Sequence, residues 1–309
     1  MPTNIAIQTF NLTKKFKELA AVNGINLEIK KNELFSLLGP NGAGKSTTIN
    51  MLCCLLKPTY GTATVLGYDI LKEANKVKEL IGVCPQETVI SEMLNCWENL
   101  KLIGGLHGLS NIEIKEKSKR ILKTLGLLER SKEKVVKFSG GMKRRLSLAM
   151  ALINEPEILF LDEPTLGLDP QARRAMWEYI EELKKTKTIL LTTHYMEEAE
   201  ALSDRVAIID NGKIVALGTT KELKKSILEK AALVLEVKNF SSSVIPALEA
   251  KYESVYYNNG KLTLESKKLD LSQIISELNY HNVVVSSALP KEPSLEEVFI
   301  KLTGKELRD

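Results

Sequence analysis

No stretch of this sequence approaches the ~20 consecutive apolar residues that a membrane-spanning helix requires. The opening MPTNIAIQTF has neither the basic segment nor the apolar core of a secretory signal. If the protein works at a membrane, something else must cross it. Cysteine is scarce: Cys53, Cys54, Cys84 and Cys96 show no metal-ligand spacing, and the adjacent pair lies in an apolar helical stretch where thiols behave as small hydrophobes. That usage fits a reducing, cytoplasmic compartment. A dominant charge is missing as well. The 43 Lys and Arg against 39 Asp and Glu leave a formal net charge of +4, without the concentrated basic excess of a nucleic-acid binder, so no nucleic-acid partner is expected. The short runs Lys143-Arg144-Arg145 and Lys184-Lys185 read as solvated helix faces. What is present is 309 residues, 44% of them hydrophobic, which is enough for one large domain and a smaller one.

The early segments NIAIQTF and GINLEIK alternate apolar and polar residues, the pattern of half-buried antiparallel strands. ELFSLLG, EILFLDE and TILLTTH are instead short continuous apolar runs, each followed by polar residues and a helix-like stretch. Strands of a parallel sheet covered on both faces read this way. The first two thirds are therefore predicted as an α/β domain with an antiparallel fringe. A charged, helix-patterned block from about Trp97 to Lys134 carries no strand signal and reads as a helical insertion or subdomain. VAIIDNGKIVALGT reads as a hairpin turning at Asn211-Gly212, and TKELKKSILEK as the helix leading out of this domain. Beyond it, ALVLEVKN, SSVIPALEAKY, ESVYY, KLTLES, LSQIISELNY and NVVVSSAL follow the order βαββαβ, with a last helix at SLEEVFIKL. That order predicts a separate small ferredoxin-like α+β domain.

After the strand LFSLLG come Gly39, Pro40, Asn41, Gly42, Ala43, Gly44, Lys45, Ser46 and Thr47, which match the P-loop pattern residue for residue, and then the apolar helix TTINMLCCLL. Glycines let backbone N–H groups turn inward around phosphates, and the helix N-terminus adds partial positive charge. Lys45 reaches the terminal phosphates and the Ser46 hydroxyl is a Mg²⁺ ligand. Acid groups are needed near such a loop, and ILFLDEP supplies Asp162 and Glu163 at the end of a buried strand. Asp162 is suited to hold Mg²⁺, through water, and Glu163 to orient or deprotonate an attacking water. The plainer account makes the pair a complement to the dipole of a helix beginning near Pro164. Gln86, after IGVCP, and His194, ending TILLTTH, both sit at carboxyl ends of strands, where α/β sheets collect ligand groups.

A second glycine motif stands in FSGGMKRRLSLAM. Ser139 is a good N-cap, and Leu146, Ala149, Met150 and Ile153 share one apolar face, so Ser139-Gly140-Gly141 opens a helix as the P-loop does and forms a second anion site. Alone, the tripeptide fits a flexible turn with a cap better than a site. Its company changes that reading. Taken together, these residues resemble the ATP-binding cassette (ABC) ATPases. They stand in that family's order: the P-loop, Gln86 as Q-loop, FSGGM as signature motif, ILFLDE as Walker B, LGLD ending in Asp169 as D-loop, and His194 as switch histidine. The likeness covers roughly residues 3 to 220, and unrelated P-loop proteins lack the SGG element. Phe16 falls where the family places an aromatic ring against adenine, though by itself it fits the core equally well. The family's usual signature carries a Gln at the third residue after the serine, able to return a hydrogen bond in a capping box; Met142 cannot.

The resemblance implies a P-loop ABC ATPase domain over residues 1–220, with an antiparallel β subdomain and a helical subdomain at about 88–155, followed by an accessory domain over 221–309. It implies ATP and Mg²⁺ as cofactors, and a head-to-tail homodimer in which ATP on one P-loop is closed over by Ser139, Gly140 and Gly141 of the other copy. It assigns Glu163 the general-base role, His194 the γ-phosphate contact, and Gln86 the link between Mg²⁺ or water and a transmembrane partner. FLDEPTLGLDP and the ending PSLEEVFIKLTG look like the ATP-binding subunits of prokaryotic multidrug, antibiotic or sodium exporters, which pair with a separate membrane permease. Such a chain is cytoplasmic and peripheral on the inner face of the membrane, and its C-terminal extension is regulatory or dimer-stabilising. The alternative is a soluble ABC ATPase acting mechanically on ribosomes or DNA, but ribosome-acting members carry two cassettes and DNA-acting ones a long coiled coil.

Overall fold

The computed structural model describes residues 4–228 and 230–304. The alternating early segments pair as antiparallel strands: β1 (Ile5–Phe16), β2 (Leu19–Ile25) and β3 (Glu28–Lys30). Next, β4 (Leu34–Leu38), buried at every position, runs into the P-loop and α1 (Lys45–Leu52). β5 (Tyr60–Val65) and β6 (Tyr68–Asp69) return to the first sheet, whose order is β2-β1-β5-β6 with β3 on β1. α2 (Ala74–Leu80) leads to β7 (Ile81–Cys84), and the helices α3 (Cys96–Leu106), α4 (Asn111–Thr124) and α5 (Gly140–Leu152) follow. Then come β8 (Ile158–Asp162), α6 (Pro170–Lys184), β9 (Thr188–Thr193), α7 (Met196–Leu202) and the hairpin β10 (Arg205–Asp210) with β11 (Lys213–Gly218).

The second sheet has the order β11-β10-β4-β9-β8-β7 and is parallel except for β11. Its continuous apolar strands serve two cores at once, because successive side chains point to opposite faces. Phe160 of β8 and Leu190 of β9 pack with Ile7, Leu12 and Val65 of the antiparallel sheet. Leu159, Leu161, Ile189 and Leu191 face the other way, onto Leu100, Leu122, Leu146 and Ile180 of the helices. Parallel strands end on one edge of their sheet, and that edge carries Gly39, Pro85, Asp162 and His194 at or just after the strand ends.

The helical block contains no strand among its described residues. Both α3 and α4 open with a capping box, Asn95 with Glu98 and Ser110 with Glu113, which satisfies otherwise orphaned N–H groups. α1 is shorter than the apolar run suggests. Cys54 takes a left-handed φ of 59°, and the N–H groups of Leu55 and Leu56 fold back onto the Asn50 carbonyl, so the adjacent cysteines close the helix instead of extending it. All four cysteines are free. Among the described residues, no helix is long and apolar enough to cross a membrane.

The chain divides into two compact units, and the second spans Lys221–Lys301. α8 (Thr220–Ser226) is shorter than the predicted eleven-residue helix, of which residue 229 lies outside the described residues. It leads to β12 (Ala231–Lys238), α9 (Ile245–Glu249), β13 (Ser254–Asn258), β14 (Lys261–Ser266), α10 (Leu271–Tyr280), β15 (Val284–Pro290) and α11 (Leu295–Thr303). The sheet order β13-β14-β12-β15, antiparallel throughout, is the split βαβ arrangement read from the sequence. The two Asn-Gly hairpin turns use left-handed residues, Asn211 with Gly212 and Asn259 with Gly260, as type I′ turns require.

Candidate active site

The loop between β4 and α1 is shaped by two glycines with no alternative. A Cβ on Gly39 would lie 2.2 Å from the Ile209 carbonyl oxygen. Gly44 adopts a φ of 106°, and a Cβ there would lie 2.3 Å from the Ala21 carbonyl oxygen. The chain thereby turns sharply into α1 with its first N–H groups open to a ligand. Gly42 and Asn41 are exposed, and Pro40, Ser46 and Thr47 half-buried. Ala43 is buried, and its carbonyl accepts from Gly212 N at 3.0 Å, so the β10–β11 turn supports the loop from behind.

Lys45 is buried and its ammonium lies among three oxygens: Glu163 Oε1 at 3.0 Å, the Gly39 carbonyl at 2.8 Å and the Pro40 carbonyl at 3.1 Å. Ser46 Oγ donates to Asp162 Oδ1 at 3.1 Å, and the Thr192 hydroxyl donates to that same oxygen. Thr192 Oγ1 also accepts from Glu163 N at 3.1 Å, so one hydroxyl of β9 sets both the acid that ends β8 and the acid that follows it. His194 Nδ1 comes within 3.2 Å of Glu163 Oε2 without the alignment of a hydrogen bond, and both atoms are buried with no hydrogen-bond partner. Burial pushes the Glu163 carboxyl up, but His194 and Lys45 outweigh it and hold it below the usual glutamate range. Glu163 has a φ of 48°, a left-handed conformation uncommon outside glycine, and this turns its side chain toward Lys45 and His194.

The structure thus brings Lys45, Ser46, Asp162, Glu163 and His194 together. The remaining predicted residues outside the P-loop share no hydrogen bond or ion pair with these five side chains. Gln86 is exposed just beyond β7, and what the fold holds is its backbone carbonyl. Phe16 ends β1 with 46% of its surface exposed, Lys14 Nζ lying 5.2 Å from its ring centre, so it is a surface ring and not a core residue. Asp169 caps α6, its Oδ1 accepting from Gln171 N and Ala172 N at 3.0 and 2.9 Å. Ser139 and Gly140 are exposed at the start of α5; Ser139 Oγ accepts from Met142 N at 3.3 Å. The cap therefore forms without a returned bond, and Met142 is buried beside Arg130 instead.

A family model described as ABC transporter matches residues 22–166, and one described as ATP-binding protein DrrA1-3-like, C-terminal domain, matches residues 218–303. The chain is 39% identical to the linearmycin resistance ATP-binding protein LnrL of Bacillus subtilis, over 98% of this chain and 100% of that one. The chain belongs to the ABC transporter family. It is also 37% identical to the daunorubicin/doxorubicin resistance ATP-binding protein DrrA of Streptomyces peucetius, over 97% of this chain and 92% of that one. The Nod factor export ATP-binding protein I of a Rhizobium strain is 37% identical over 99% of both chains. Among solved structures, an ATP-binding subunit of an ABC transporter superposes with a TM-score of 0.65 at 31% identity, over 72% of this chain and 92% of that one. A dimeric ATP-binding cassette in a post-hydrolysis state, bound to ADP and Pi, superposes with a TM-score of 0.63 at 29% identity, over 69% of this chain and 98% of that one.

In this ABC cassette the basic run Lys143-Arg144-Arg145 is not the solvated face its composition suggests. Lys143 pairs with Glu92, Arg145 reaches the Gly141 and Leu125 carbonyls, and Arg144 is buried. The sequence does carry a sign of this, since Arg144, Leu148 and Ala151 recur at helical spacing along one buried row of α5. Glu198 was also missed. It is fully buried on α7, accepts from Thr165 Oγ1 at 2.8 Å and Trp177 Nε1 at 3.0 Å, and so ties the turn after β8 to α6 and α7. Burial raises its carboxyl above the ordinary glutamate value, although bonds from Thr193, Thr165 and Trp177 oppose the rise. No local pattern distinguishes it from its neighbour Glu197 as an ordinary first-turn acid of the helix.

Proposed function

We propose that this chain is the ATP-binding and ATP-hydrolysing subunit of an exporter. Two copies close head to tail on ATP and drive a separate membrane permease from the cytoplasmic face. The observation that carries this reading is one buried carboxylate, Glu163, with Lys45 of the P-loop at 3.0 Å and His194 at 3.2 Å. The residues up to about 220 form the ATPase domain, and the second unit is an accessory domain with a regulatory or dimer-stabilising role. The resistance and export proteins named above support the exporter side of the proposal.

The chemistry follows from the resting contacts. A triphosphate in the cradle offers the Lys45 ammonium denser negative charge than Glu163 and two carbonyls do, so the ammonium turns to the terminal phosphates. Glu163 then loses one of the two neighbours that hold its carboxyl down, and its basicity rises once the phosphates are in place. Its Oε2, buried and without a hydrogen-bond partner, is the acceptor left for the attacking water. His194, close to that oxygen through Nδ1, keeps its other ring nitrogen for the γ-phosphate. The hydroxyl and carboxylate oxygens of Ser46 and Asp162 are hard donors that fit Mg²⁺, and these two residues would hold it. When bound, Mg²⁺ neutralises charge on the phosphates.

The exposed Ser139 and Gly140 offer N–H groups at the start of α5 to the nucleotide held by the other copy; a Cβ at Gly140 would meet nothing within 4 Å, which leaves room for that ligand. Asp169 and Phe16 flank the nucleotide in this arrangement. Hydrolysis removes the phosphate that bridges the copies, so they separate. A groove of about 490 Å³ lined by Val83, Pro85, Val89, Ile103 and Met150 adjoins Gln86, and it seats the cytoplasmic part of the permease. Gln86 thereby stands between the metal or water and the membrane partner.

Mixed dimers test the composite site. Ser139→Arg and Lys45→Ala subunits are each inactive alone, and mixing them restores one working site in a share of the dimers, read as ATP hydrolysis. No recovered hydrolysis removes the head-to-tail reading. Purification from membranes recovers an integral membrane protein with the chain, whereas recovery of ribosomes would support the mechanical alternative.

A further inference from the structure

Arg144 has the most constrained side chain near the site, and no step of the chemistry above uses it. It lies on α5, five residues after Ser139, with 4% of its surface exposed. Each of its five N–H bonds has a backbone carbonyl. Nε donates to Pro164 O at 2.8 Å, and Nη1 donates to Pro85 O and to Gln86 O, the latter at 3.0 Å. Nη2 donates to Asp162 O at 2.7 Å and Glu163 O at 2.9 Å. Among the described residues, no carboxylate pairs with it. A buried guanidinium without a counter-ion is costly, and an apolar side chain would fill the same space without that cost. What an apolar residue lacks is a rigid, planar fork of donors.

That fork closes around one residue. The carbonyls of Asp162 and Glu163 belong to the two peptide groups that flank the Glu163 Cα, and both are held by the same nitrogen. Glu163 is the residue with the left-handed φ of 48° that aims its carboxylate at Lys45 and His194. A left-handed non-glycine residue persists only where its surroundings over-determine it. We propose that Arg144 is a positioning residue that locks the Glu163 backbone in this conformation, and so places the general base. Its bonds to Pro85 and Gln86 anchor the guanidinium to the segment just after the neighbouring strand, β7, so the clamp does not follow local movement of the turn after β8. The proposal rests on the reading of Glu163 as the base.

Five full-length proteins test it: wild type, Glu163→Gln, Arg144→Lys, Arg144→Gln and the double variant Glu163→Gln with Arg144→Lys. Lysine keeps the charge but not the fork. Arg144→Lys lowers kcat by about 10- to 100-fold, the effect of displacing a reacting group by about an ångström, while the KM for ATP stays within about threefold. In the Glu163→Gln background it leaves the yield of ATP-bound dimer, measured by gel filtration, within about twofold, since binding does not use the aim of the base. Arg144→Gln, with fewer donors still, behaves in the same way. If Glu163→Gln hydrolyses ATP at the wild-type rate, the reading of Glu163 fails and the clamp has no base to place. If Glu163→Gln is slow but Arg144→Lys is not, the proposal alone is overturned. Loss of ATP binding in both Arg144 variants also overturns it, because that result makes Arg144 a packing residue of the core.

Discussion

Replacing Glu163 by Gln separates the two tasks proposed for this side chain, pairing with Lys45 and activating water. In the resting chain its carboxylate neutralises Lys45, both side chains being at most 5% exposed, and without that charge the ammonium has only neutral acceptors, the Gly39 and Pro40 carbonyls among them. Gln retains an acceptor oxygen of the same shape. The loss is therefore the difference between a charge-assisted and a neutral hydrogen bond, about 1–2 kcal/mol. For a domain of this size, that lowers the melting temperature of the nucleotide-free protein by about 2–8 °C. The sign with pH follows from the lowered Glu163 value: the wild-type advantage is complete above the ordinary glutamate range and is lost as pH falls through the lowered one. With ATP and Mg²⁺ added, Lys45 rests on phosphate, so the thermal difference between variant and wild type shrinks or reverses. Hydrolysis in a single-turnover assay falls by about 10²- to 10⁴-fold, the contribution of a positioned general base, and the ATP-bound dimer accumulates. An unimpaired hydrolysis rate refutes the base assignment. An unchanged melting temperature without nucleotide refutes the resting Lys45–Glu163 pair.

Three further outcomes follow from single side chains. Lys45→Ala abolishes nucleotide binding in equilibrium dialysis, and it destabilises the nucleotide-free chain by about 3–5 kcal/mol because Glu163 is left buried without its partner; retained tight ATP binding contradicts the P-loop reading. Gly39→Ala places a Cβ 2.2 Å from the Ile209 carbonyl oxygen, so the loop or β10 must shift. An overpacked position of this kind lowers stability by about 1–3 kcal/mol and ATP affinity with it, and a variant that melts and binds like wild type shows that the loop is not held as described. For Glu198, whose carboxyl is raised by burial, wild-type stability declines as pH rises from the ordinary glutamate range through the raised value. Glu198→Gln removes that slope, which urea titrations at several pH values measure; parallel stability profiles for the two proteins refute the burial argument.

The lines of the fold that were legible in the sequence are those set by local periodicity. Short continuous apolar runs bounded by polar residues are the pattern of strands buried on both faces, as β4, β8 and β9 are; alternating runs are the pattern of half-buried strands, as β1 is. The order βαββαβ likewise carried the topology of the second unit's sheet with it, since short connections leave few alternatives. Helix ends were less legible. α1 stops at Leu52 because Cys54 turns left-handed, and nothing in the run TTINMLCCLL marks that position.

Which chemical groups this protein owns, and at which strand ends they stand, can be read along the chain alone: a glycine-rich loop at Gly39 to Thr47, two acids at Asp162 and Glu163, and a histidine at position 194. Each follows from a strand, a turn and a helix adjacent along the chain, so local rules reach them. How those groups meet depends on the folded chain. It paired Lys45 with Glu163 across 118 positions of chain, set both acids with the hydroxyl of Thr192, and turned one arginine of a basic run inward to five carbonyls while its neighbours stayed half-exposed. The physical reason is that a side chain's charge is written in its residue type, whereas its burial and its partners depend on segments far away in sequence that close over it.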